Sequence, residues 1–543
     1  MLLYVANVYQ LSKIDEIFTE SIVMTKIKTG LMVAMSLLLG ACGNQSSTSY
    51  PGSGTANTLL SGSITSTGNF TASDLQGSSW LAAYPSDQQA LISTPVCGVK
   101  MLRMEYATVG GVGEQTTASG VVMLPTGTAA ACQGGRPILL YTHGTAVTRS
   151  FDLSVTNDST NAAYSTMQHL ALIYAAQGYI VIAPNYAGYN TSTLPYHPYL
   201  NPIQQSQDSV DALTAGRQVI AQQGSGAPTD NGKLFVAGYS QGGYVAMATL
   251  QHLQQIGAHV SAGGPMSGPY ALEAFGDQIF SGHIGVGTTV FSSMMLSSFE
   301  HLPSGSLSGA SILNPSFSDA DQLFPGQYTY SNLPPSSMLP ATALFQSSPT
   351  GYANLDAMAP GPFIYGLGFD ATNYLIQTNY RENYVNDMSA YPDGAVPTLT
   401  SNPVVASTSN NGLRAVLRRF DLRAYQPSMP IQICGGNGDP TVYFAQNSVV
   451  MNAMLNNAAA SNSTLQFALL DLDTRGTPGN FTSHGFTASQ QATMSAAATA
   501  AETAFTTYQS AQQAANLVTA IENYHDNEHV YCSVAERSFF NMY

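Results

Sequence analysis

Residues 233–243 read KLFVAGYSQGG, and this stretch decides how the chain is interpreted. The apolar run that ends at Gly238 predicts a short buried strand, and the apolar pattern after Gly243 predicts a helix. Between them, the residues from Gly238 to Gly242 fit the pattern G-x-S-x-G around Ser240. Glycine neighbours allow the strained backbone of such a turn, and the helix start offers free N–H groups to a developing anion. Ser240 is therefore predicted to be a nucleophile, with a capping serine in a glycine-rich turn as the alternative.

The composition of the whole chain limits the classes of function. Charged residues make up only 9% of the 543 residues, and the formal net charge is −15. A chain of this charge without a basic patch is unsuited to nucleic acid, so no nucleic-acid partner is predicted. The 44% of apolar residues can fill one large core plus an insertion, or two domains. No cofactor is predicted.

The N-terminal region predicts export. Met24 begins a segment with two lysines, and the apolar stretch 31–39 that follows is too short to span a bilayer as a mature helix. This stretch ends in Leu-Gly-Ala-Cys42, which resembles a bacterial lipobox, whose cysteine is diacylated. The resemblance implies a lipoprotein anchored to the membrane at Cys42, with the outer membrane as the expected location and Met24 as the true start. An ordinary signal peptide with a chance cysteine is the alternative.

Four further cysteines predict two disulfides, because an even number in an exported chain favours pairing. Three pairings are possible. The favoured one joins Cys97 to Cys132 across the first hairpin and Cys434 to Cys532 between a late strand and the C-terminal region. Buried free thiols are the alternative.

The order of strands and helices predicts one α/β domain with an insertion. After the signal region, 1–42, residues 43–73 are rich in Ser, Thr and Gly and predict a flexible tether. Short apolar strands alternate with helical patterns over 74–268, which indicates a mainly parallel sheet flanked by helices. This alternation lapses over 269–427 and resumes over 428–543. The middle segment is predicted to be a cap over the site, although plain packing would suit its Phe, Tyr and Met content equally well.

Upstream of the serine, a second turn predicts the oxyanion site. The run ILLYTHGT, residues 138–145, reads as a buried strand that ends in a His-Gly turn. A backbone N–H of Thr145 is expected to join that of Gln241 in binding a tetrahedral oxyanion. His143 is expected to hold this loop as a buried structural imidazole.

Five motifs resemble the secreted lipase and esterase branch of the α/β-hydrolase superfamily, akin to the fungal lipase A type and its bacterial relatives. They are YTHGT (141–145), GYIVIAPNYAGYN (178–190), HPYL (197–200), GYSQGG (238–243) and SGPYAL (267–272). The resemblance covers residues 97–484 and matches the insertion only in position. It implies the α/β-hydrolase fold and a catalytic triad in the chain order serine, acid, histidine. The family commonly has Asp where this chain has Asn185, and His197 is expected to support the wall of the site.

That order predicts the acid and the base after the insertion. Asp439 lies in a glycine turn just past a predicted strand, which is the place of the acid. Asp471 and Asp473, at the end of the next strand, are its rivals, and a structural Asp-Pro turn is the alternative interpretation. His484 follows in a predicted loop between the last strand and the last helix, which is the place of the base. The predicted triad is thus Ser240, Asp439 and His484.

A competing motif lies further along the chain. His525, Glu528 and His529 match H-x-x-E-H, a pattern of zinc enzymes. They lie at the predicted end of the last helix, where histidines suit the negative end of the helix dipole. A polar helix end is the favoured interpretation, so no metal is predicted.

Together these residues predict a serine hydrolase that cleaves carboxylic esters, of small molecules or lipids, through an acyl-enzyme. A serine peptidase or amidase of the same fold is the first alternative, because a fold does not determine the substrate. A non-enzymatic binding lipoprotein is the second. The acyl chain length and the oligomeric state stay open.

Overall fold

The computed structural model of the chain describes residues 58–302, 307–358, 363–395, 404–475 and 481–543. The predicted signal region, the lipobox with Cys42 and the first part of the predicted tether lie outside the described residues. Among the helices in these ranges, none has both the length and the apolar content that a membrane crossing requires.

Ten strands form one central sheet, and two very short strands pair separately. In chain order the strands are β1 (Thr65–Phe70), β2 (Gly98–Val109), β3 (Gln115–Thr126), β4 (Gly135–Thr142), β5 (Ile180–Pro184), β6 (Thr229–Tyr239), β7 (Ala262–Met266), β8 (Phe345–Gln346), β9 (Phe369–Asp370), β10 (Ile431–Gly435), β11 (Phe467–Asp471) and β12 (Thr482–His484). Across the sheet the order is β1-β2-β3-β5-β4-β6-β7-β10-β11-β12. The strands from β5 to β11 in this order are parallel, whereas both edges are antiparallel.

Helices cover the sheet and build the segment between β7 and β10. In chain order they are α1 (Ser86–Ile92), α2 (Tyr164–Ile173), α3 (Pro202–Ala221), α4 (Gln241–Gln255), α5 (Leu272–Phe280), α6 (Thr288–Glu300), α7 (Gly309–Ile312), α8 (Ala353–Asp356), α9 (Phe363–Gly366), α10 (Thr378–Ala390), α11 (Gly412–Arg419), α12 (Val450–Ala459), α13 (Ala488–Ala515), α14 (Leu517–Glu522) and α15 (Tyr524–Phe540). A π-helical turn, Ala445–Val449, leads into α12.

The central strands are apolar because helices bury them on both faces. β5 and β7 are buried along their whole length, and so is the second half of β6. Parallel strands covered on both sides need such continuous apolar runs, since neither face meets water. α4 follows β6 directly and packs on β6 and β7. The predicted α/β fold with a mainly parallel sheet is confirmed.

The edges of the sheet and the last helix differ from the sequence prediction. Residues 58–73 belong to the predicted tether, yet Thr65–Phe70 pairs with β2 and Leu59 is buried. The tether prediction is wrong for these residues, because an edge strand is held by backbone hydrogen bonds and tolerates a Ser- and Thr-rich sequence. The Ala-rich pattern of residues 488–524 predicts one long helix, but the chain breaks at Asn516, whose side chain accepts hydrogen bonds from the N–H groups of Val518 and Thr519.

The insertion leaves and re-enters the sheet between neighbouring strands. β7 and β10 are parallel partners, with Met266 opposite Cys434, and the whole of α5–α11 lies between them in sequence. Buried ion pairs hold these helices together, since the Arg414 guanidinium lies 2.7 Å from Asp277 and 3.3 Å from Asp387. A buried pair of this kind is costly to break, because removing one partner leaves a buried charge unpaired.

Both predicted disulfides are present. Cys97 bonds to Cys132 and ties the start of β2 to the turn before β4. Cys434 bonds to Cys532 and ties β10 to α15, across a sequence separation of 98 residues. The predicted pairing is confirmed, and the second disulfide joins two elements that carry residues of the candidate site.

Candidate active site

The turn between β6 and α4 presents Ser240 in a strained conformation. Its φ is 60° and its ψ is −124°, a region that residues with a Cβ seldom occupy. The turn approaches the neighbouring loop so closely that a Cβ on Gly238 would overlap the Thr142 side chain, and one on Gly242 would overlap the Thr142 backbone. The Ser240 N–H donates a 3.0 Å hydrogen bond to the Met266 carbonyl. Glycine is therefore required at both positions because a side chain would not fit there.

A histidine and an aspartate complete a hydrogen-bonded chain at Ser240. The Ser240 hydroxyl lies 2.8 Å from Nε2 of His525, and Nδ1 of His525 lies 2.7 Å from Oδ2 of Asp439. The other oxygen of Asp439 accepts from the N–H groups of Thr441 at 2.8 Å and Val442 at 3.2 Å. The carboxylate is thus fixed by the loop after β10, and the arrangement is that of a serine, histidine and acid relay.

The structure corrects the prediction for the histidine. His484 is part of β12, where it pairs with Phe467 of β11 and stacks on the Phe467 ring at 5.1 Å between centroids. It was expected in a loop, but the chain adds an antiparallel edge strand here and so keeps His484 at the sheet edge. The placement of His484 at Ser240 is wrong, and His525 of α15 occupies that place.

The signal that identifies His525 was present in the sequence as the H-x-x-E-H motif. Its interpretation as a polar helix end is wrong, because α15 is buried: Glu528 has no exposed surface and His525 is 7% exposed. His529 is also engaged, since its Nε2 lies 2.6 Å from the Tyr141 hydroxyl and its ring stacks on Tyr239. Buried histidines beside a disulfide-bonded Cys532 indicate a core helix, and that combination was the available clue.

Asp439 makes His525 a stronger base. Burial by itself would lower the pKa of His525, but the charge and the hydrogen bond of Asp439 outweigh burial and raise the pKa above its ordinary value of 6.5. An adjacent carboxylate favours the charged imidazolium in this way. The pair is therefore arranged to accept a proton from Ser240.

Comparisons with known proteins agree with this architecture. The rice cell wall degrading esterase LipA from Xanthomonas oryzae superposes with a TM-score of 0.57 at 22% identity, over 78% of this chain and 91% of the esterase. A Legionella pneumophila protein described provisionally as a hydrolase superposes with a TM-score of 0.53 at 18% identity, over 74% of this chain and 89% of its own. The chain has the α/β-hydrolase fold.

The remaining comparisons cover less of the chain or show a lower structural similarity. The model of the prolyl oligopeptidase family matches residues 164–281. Candida antarctica lipase A superposes over 76% of this chain and 79% of the lipase at 12% identity, with a TM-score of 0.43, which is too low to support an argument. No curated protein sequence matches the chain.

The two rival acids, Asp471 and Asp473, support the loop that carries Asp439. Asp471 accepts hydrogen bonds from the N–H of Asn437 at 3.0 Å and from its side-chain amide at 2.8 Å. Asp473 accepts from the Tyr524 hydroxyl at 2.7 Å, and the same hydroxyl accepts from the N–H of Gly438. Both carboxylates brace the loop between β10 and Asp439, and it is Asp439 that contacts His525.

The two residues predicted for the oxyanion site both lie beside the nucleophile. Thr145 and Gln241 line one narrow cavity together with Ser240. The Thr145 hydroxyl lies 2.9 Å from the Tyr199 hydroxyl, while the side chain of Gln241 is fully buried. Their position suits the predicted role, and the binding of an oxyanion by their N–H groups stays a prediction.

Two buried histidines hold the walls around this site. Nδ1 of His197 donates to the Ala187 carbonyl at 2.8 Å, so its Nε2 is free to accept from the Gln241 amide at 2.7 Å. Burial lowers the pKa of His197 to about 3, and it also lowers the pKa of His143 to about 4. His143 stacks between two aromatic rings, at 4.2 Å between centroids in each case. Both imidazoles are neutral near pH 7 and orient the residues next to the nucleophile.

Asn185 has a clear local reason to differ from the Asp common in the family. Its amide donates 2.9 Å hydrogen bonds to Asp152 and to the Ser119 hydroxyl, and its oxygen accepts from the N–H of Leu153. A carboxylate in this place would face the carboxylate of Asp152. The amide therefore avoids a repulsive buried pair.

Two cavities meet at Ser240. One is a cleft of about 680 Å³ that reaches His525 and His529. The other is a narrow cavity of about 80 Å³. The narrow cavity is apolar and formed largely by the insertion, through Leu272, Phe275, Ile279, Phe280, Phe291, Met295 and Leu417. The insertion therefore lies directly against the nucleophile.

The charges in the cleft have one sign. Its lining includes the carboxylates of Glu522 and Asp526, and none of the described residues that line either cavity is a lysine or an arginine. Such a site offers nothing to pair with an anionic substrate group, whereas a neutral or cationic group suits it.

Proposed function

We propose that this protein is a serine hydrolase that cleaves carboxylic esters of small molecules or lipids through an acyl-enzyme. The hydrogen-bonded chain from Ser240 through His525 to Asp439, opening onto two cavities, carries this proposal. The fold alone would not support this proposal, because proteins with the α/β-hydrolase fold catalyse many different reactions. The strained turn, the buried imidazole and the fixed carboxylate supply the chemistry.

The reaction follows from the geometry. His525 takes the hydroxyl proton on Nε2 as the Ser240 oxygen attacks the acyl carbonyl, while Asp439 holds Nδ1–H and stabilises the imidazolium. The N–H groups of Thr145 and Gln241 are proposed to bind the resulting oxyanion. His525 then gives its proton to the leaving alcohol. In the second half, water loses a proton to His525 and attacks the acyl group, and His525 returns this proton to the Ser240 oxygen as the acid product leaves.

The shapes of the two cavities favour an ester with an apolar acyl group. We assign the narrow apolar cavity to the acyl chain and the wide cleft to the alcohol, so the insertion acts as a cap that forms the acyl wall. An apolar group in such a cavity gains about 0.8 kcal/mol for each methylene removed from water. The name of the Xanthomonas oryzae esterase supports the same class of reaction.

A peptidase or amidase is the second candidate. The partial match to the prolyl oligopeptidase family favours it, as do the carboxylates of Glu522 and Asp526, which would suit the amino group of a peptide. Hydrolysis of an aminoacyl p-nitroanilide faster than the matching p-nitrophenyl ester would select this candidate.

The decisive test combines activity with covalent labelling. Hydrolysis of p-nitrophenyl esters from acetate to laurate is measured for the wild type, for Ser240→Ala and for the exposed control Ser461→Ala. A fluorophosphonate probe, located by peptide mass spectrometry, then reports the reactive serine without any choice of substrate. Activity and labelling lost only in Ser240→Ala support the proposal. Labelling of another serine, or ester hydrolysis that survives Ser240→Ala, would reject it.

We also propose that the protein is a lipoprotein attached to the outer membrane through Cys42. The lipobox pattern is the support for this proposal. Mass spectrometry of the mature N-terminus should show a diacylated cysteine at residue 42, and Cys42→Ala should remove the lipid and release the protein from the membrane fraction. A mature N-terminus at any other residue would contradict the assignment.

A further inference from the structure

A second carboxyl group lies next to the imidazole of the candidate triad. Glu528 is one helical turn after His525 on α15 and has no exposed surface. Its Oε1 lies 3.8 Å from Nδ1 of His525, the same nitrogen that Asp439 contacts. The mechanism above does not use this group, although a carboxyl group is expensive to bury without a reason.

Glu528 is only partly satisfied in its pocket. Its Oε1 accepts hydrogen bonds from the hydroxyls of Tyr239, at 3.1 Å, and Ser267. Among the described residues, Oε2 has no hydrogen-bond partner, and it lies against Gly436, where a Cβ would overlap it. The glycine therefore keeps room for this carboxyl group inside the loop that carries Asp439.

The surroundings of Glu528 disfavour the charged form of its carboxyl group. Burial, followed by the charge of Asp439, raises the pKa of Glu528 well above its ordinary value. The charge of Asp471 acts in the same direction, whereas the hydroxyls of Ser267 and Tyr239 act against it. The titratable groups that face Glu528 are Asp439, Asp471, Tyr239, Tyr524 and His525.

We propose that Glu528 is a reserve carboxyl partner of His525, a positioning residue that orients the imidazole and balances its charge when Asp439 does not. This inference rests on the proposed function for its catalytic consequence, but its structural part does not need activity. When Asp439 is removed, the largest neighbouring negative charge disappears, and pairing with the charged imidazole of His525 can then stabilise an ionised Glu528 against the effect of burial. The Glu528 carboxylate then faces Nδ1–H of His525. It would balance the positive charge that the imidazole gains when Nε2 takes the proton from Ser240.

The test measures His525 directly. In Asp439→Ala, the pKa of the His525 imidazole is followed by NMR and compared with that of Asp439→Ala/Glu528→Gln. A carboxylate within about 4–6 Å raises the pKa of an imidazole by one unit or more, so the double variant should titrate about one unit lower. Equal values in the two proteins would overturn the proposal, whether or not the protein hydrolyses esters.

A matched control is available on the same helix. Glu536 is also fully buried and also has a strongly raised pKa, but it faces the Tyr174 hydroxyl instead of His525. The pKa of His525 should therefore be the same in Asp439→Ala/Glu536→Gln as in Asp439→Ala. An equal shift from both glutamine variants would show a general disturbance of α15 and would reject the specific role of Glu528.

Catalysis provides a second readout. The loss of kcat/KM caused by Glu528→Gln should be about tenfold larger when Asp439 is absent than when it is present, and the residual activity of Asp439→Ala should rise with pH. Asp439→Asn serves as the second background if the alanine variant does not fold. A merely structural glutamate would cost the same factor in both backgrounds, and that result would refute the proposal. No ester hydrolysis by the wild type would instead reject the proposed function and leave the NMR result to decide.

Discussion

Replacing His525 and His484 in parallel separates the base assigned by the structure from the base predicted by the sequence. His525→Ala removes both hydrogen bonds of the imidazole, the 2.8 Å contact to Ser240 and the 2.7 Å contact to Asp439. Because the serine then has no acceptor for its proton, kcat/KM should fall about 10⁴- to 10⁶-fold, the range seen when a triad histidine is lost.

His484→Ala should be nearly silent in the same assay. It removes a half-buried ring at the sheet edge whose described contact is the stack on Phe467. Such a stack contributes about 0.5–1.5 kcal/mol to stability and does not reach the reacting atoms. We expect kcat/KM within about threefold of the wild type, while the free energy of unfolding decreases by about that amount.

The assay is hydrolysis of p-nitrophenyl butyrate by each purified variant, with circular dichroism to show that both are folded. Added imidazole should restore part of the activity of His525→Ala, since truncation leaves a cavity next to Asp439. A folded His525→Ala protein with full activity, or a large loss in His484→Ala, would refute the assignment.

Three further predictions concern pH, the acyl cavity and the disulfide. Because Asp439 raises the pKa of His525, and only the neutral imidazole accepts a proton, kcat/KM should fall with decreasing pH through a value above 6.5, as a pH–rate profile would show. The cavity of about 80 Å³ is about half of the ~150 Å³ that takes up a benzene ring, so kcat/KM should rise about fourfold per methylene up to about three acyl carbons, with Ser292→Leu shortening and Met295→Ala lengthening this limit in an ester series. Replacing Cys434 and Cys532 by serine should lower the free energy of unfolding by about 2–5 kcal/mol in urea titrations and should also lower kcat/KM.

Each of these predictions has a contradicting outcome. An acidic limb below pH 6.5 would contradict the effect of Asp439. A chain-length preference unchanged in both cavity variants would place the acyl group elsewhere. For the disulfide, the control is serine at Cys97 and Cys132, which should lose stability but keep its kcat/KM, because that bond joins no element of the triad. Equal losses of kcat/KM in the two disulfide variants would contradict a specific role of Cys434 and Cys532.

The sequence points to Ser240 and Asp439 because each lies in a short local signal, and the structure brings both into contact with His525. Ser240 stands in a glycine pattern that steric contact imposes, and Asp439 follows a strand of the parallel sheet. Strands of a parallel sheet end at the same edge, so chain order is enough to bring these residues together. His525 lies in the short H-x-x-E-H motif, but this motif does not reveal the role of the histidine, because a helix can present it to Ser240 only if the helix is buried and docked against β10.

The two histidines show what local patterns leave undetermined. His484 stands after a strand and before a helix, where the base of the family is expected, but three residues of edge pairing keep it in β12. Asn516 lies within a continuous helical pattern, so the pattern did not indicate a break there. Asn is nevertheless a favourable N-cap residue, and here it caps α14. The prediction also missed β1, because its Ser- and Thr-rich sequence with few charges is typical of a flexible tether. An edge strand can have such a sequence because backbone hydrogen bonds hold it.

The long sequence separation between the residues of the candidate triad has a consequence for folding. Ser240 and His525 are 285 residues apart in sequence, and α15 packs on β7 and β10, which flank the insertion in the chain. Contacts of such high sequence separation form late, because loop closure costs entropy before they contribute stability. The serine turn can thus be formed in a partly folded chain that has no base. Recovery of hydrolysis would then lag behind recovery of secondary structure during refolding, and the protein would remain inert until its last helix is fixed by Cys434 and Cys532.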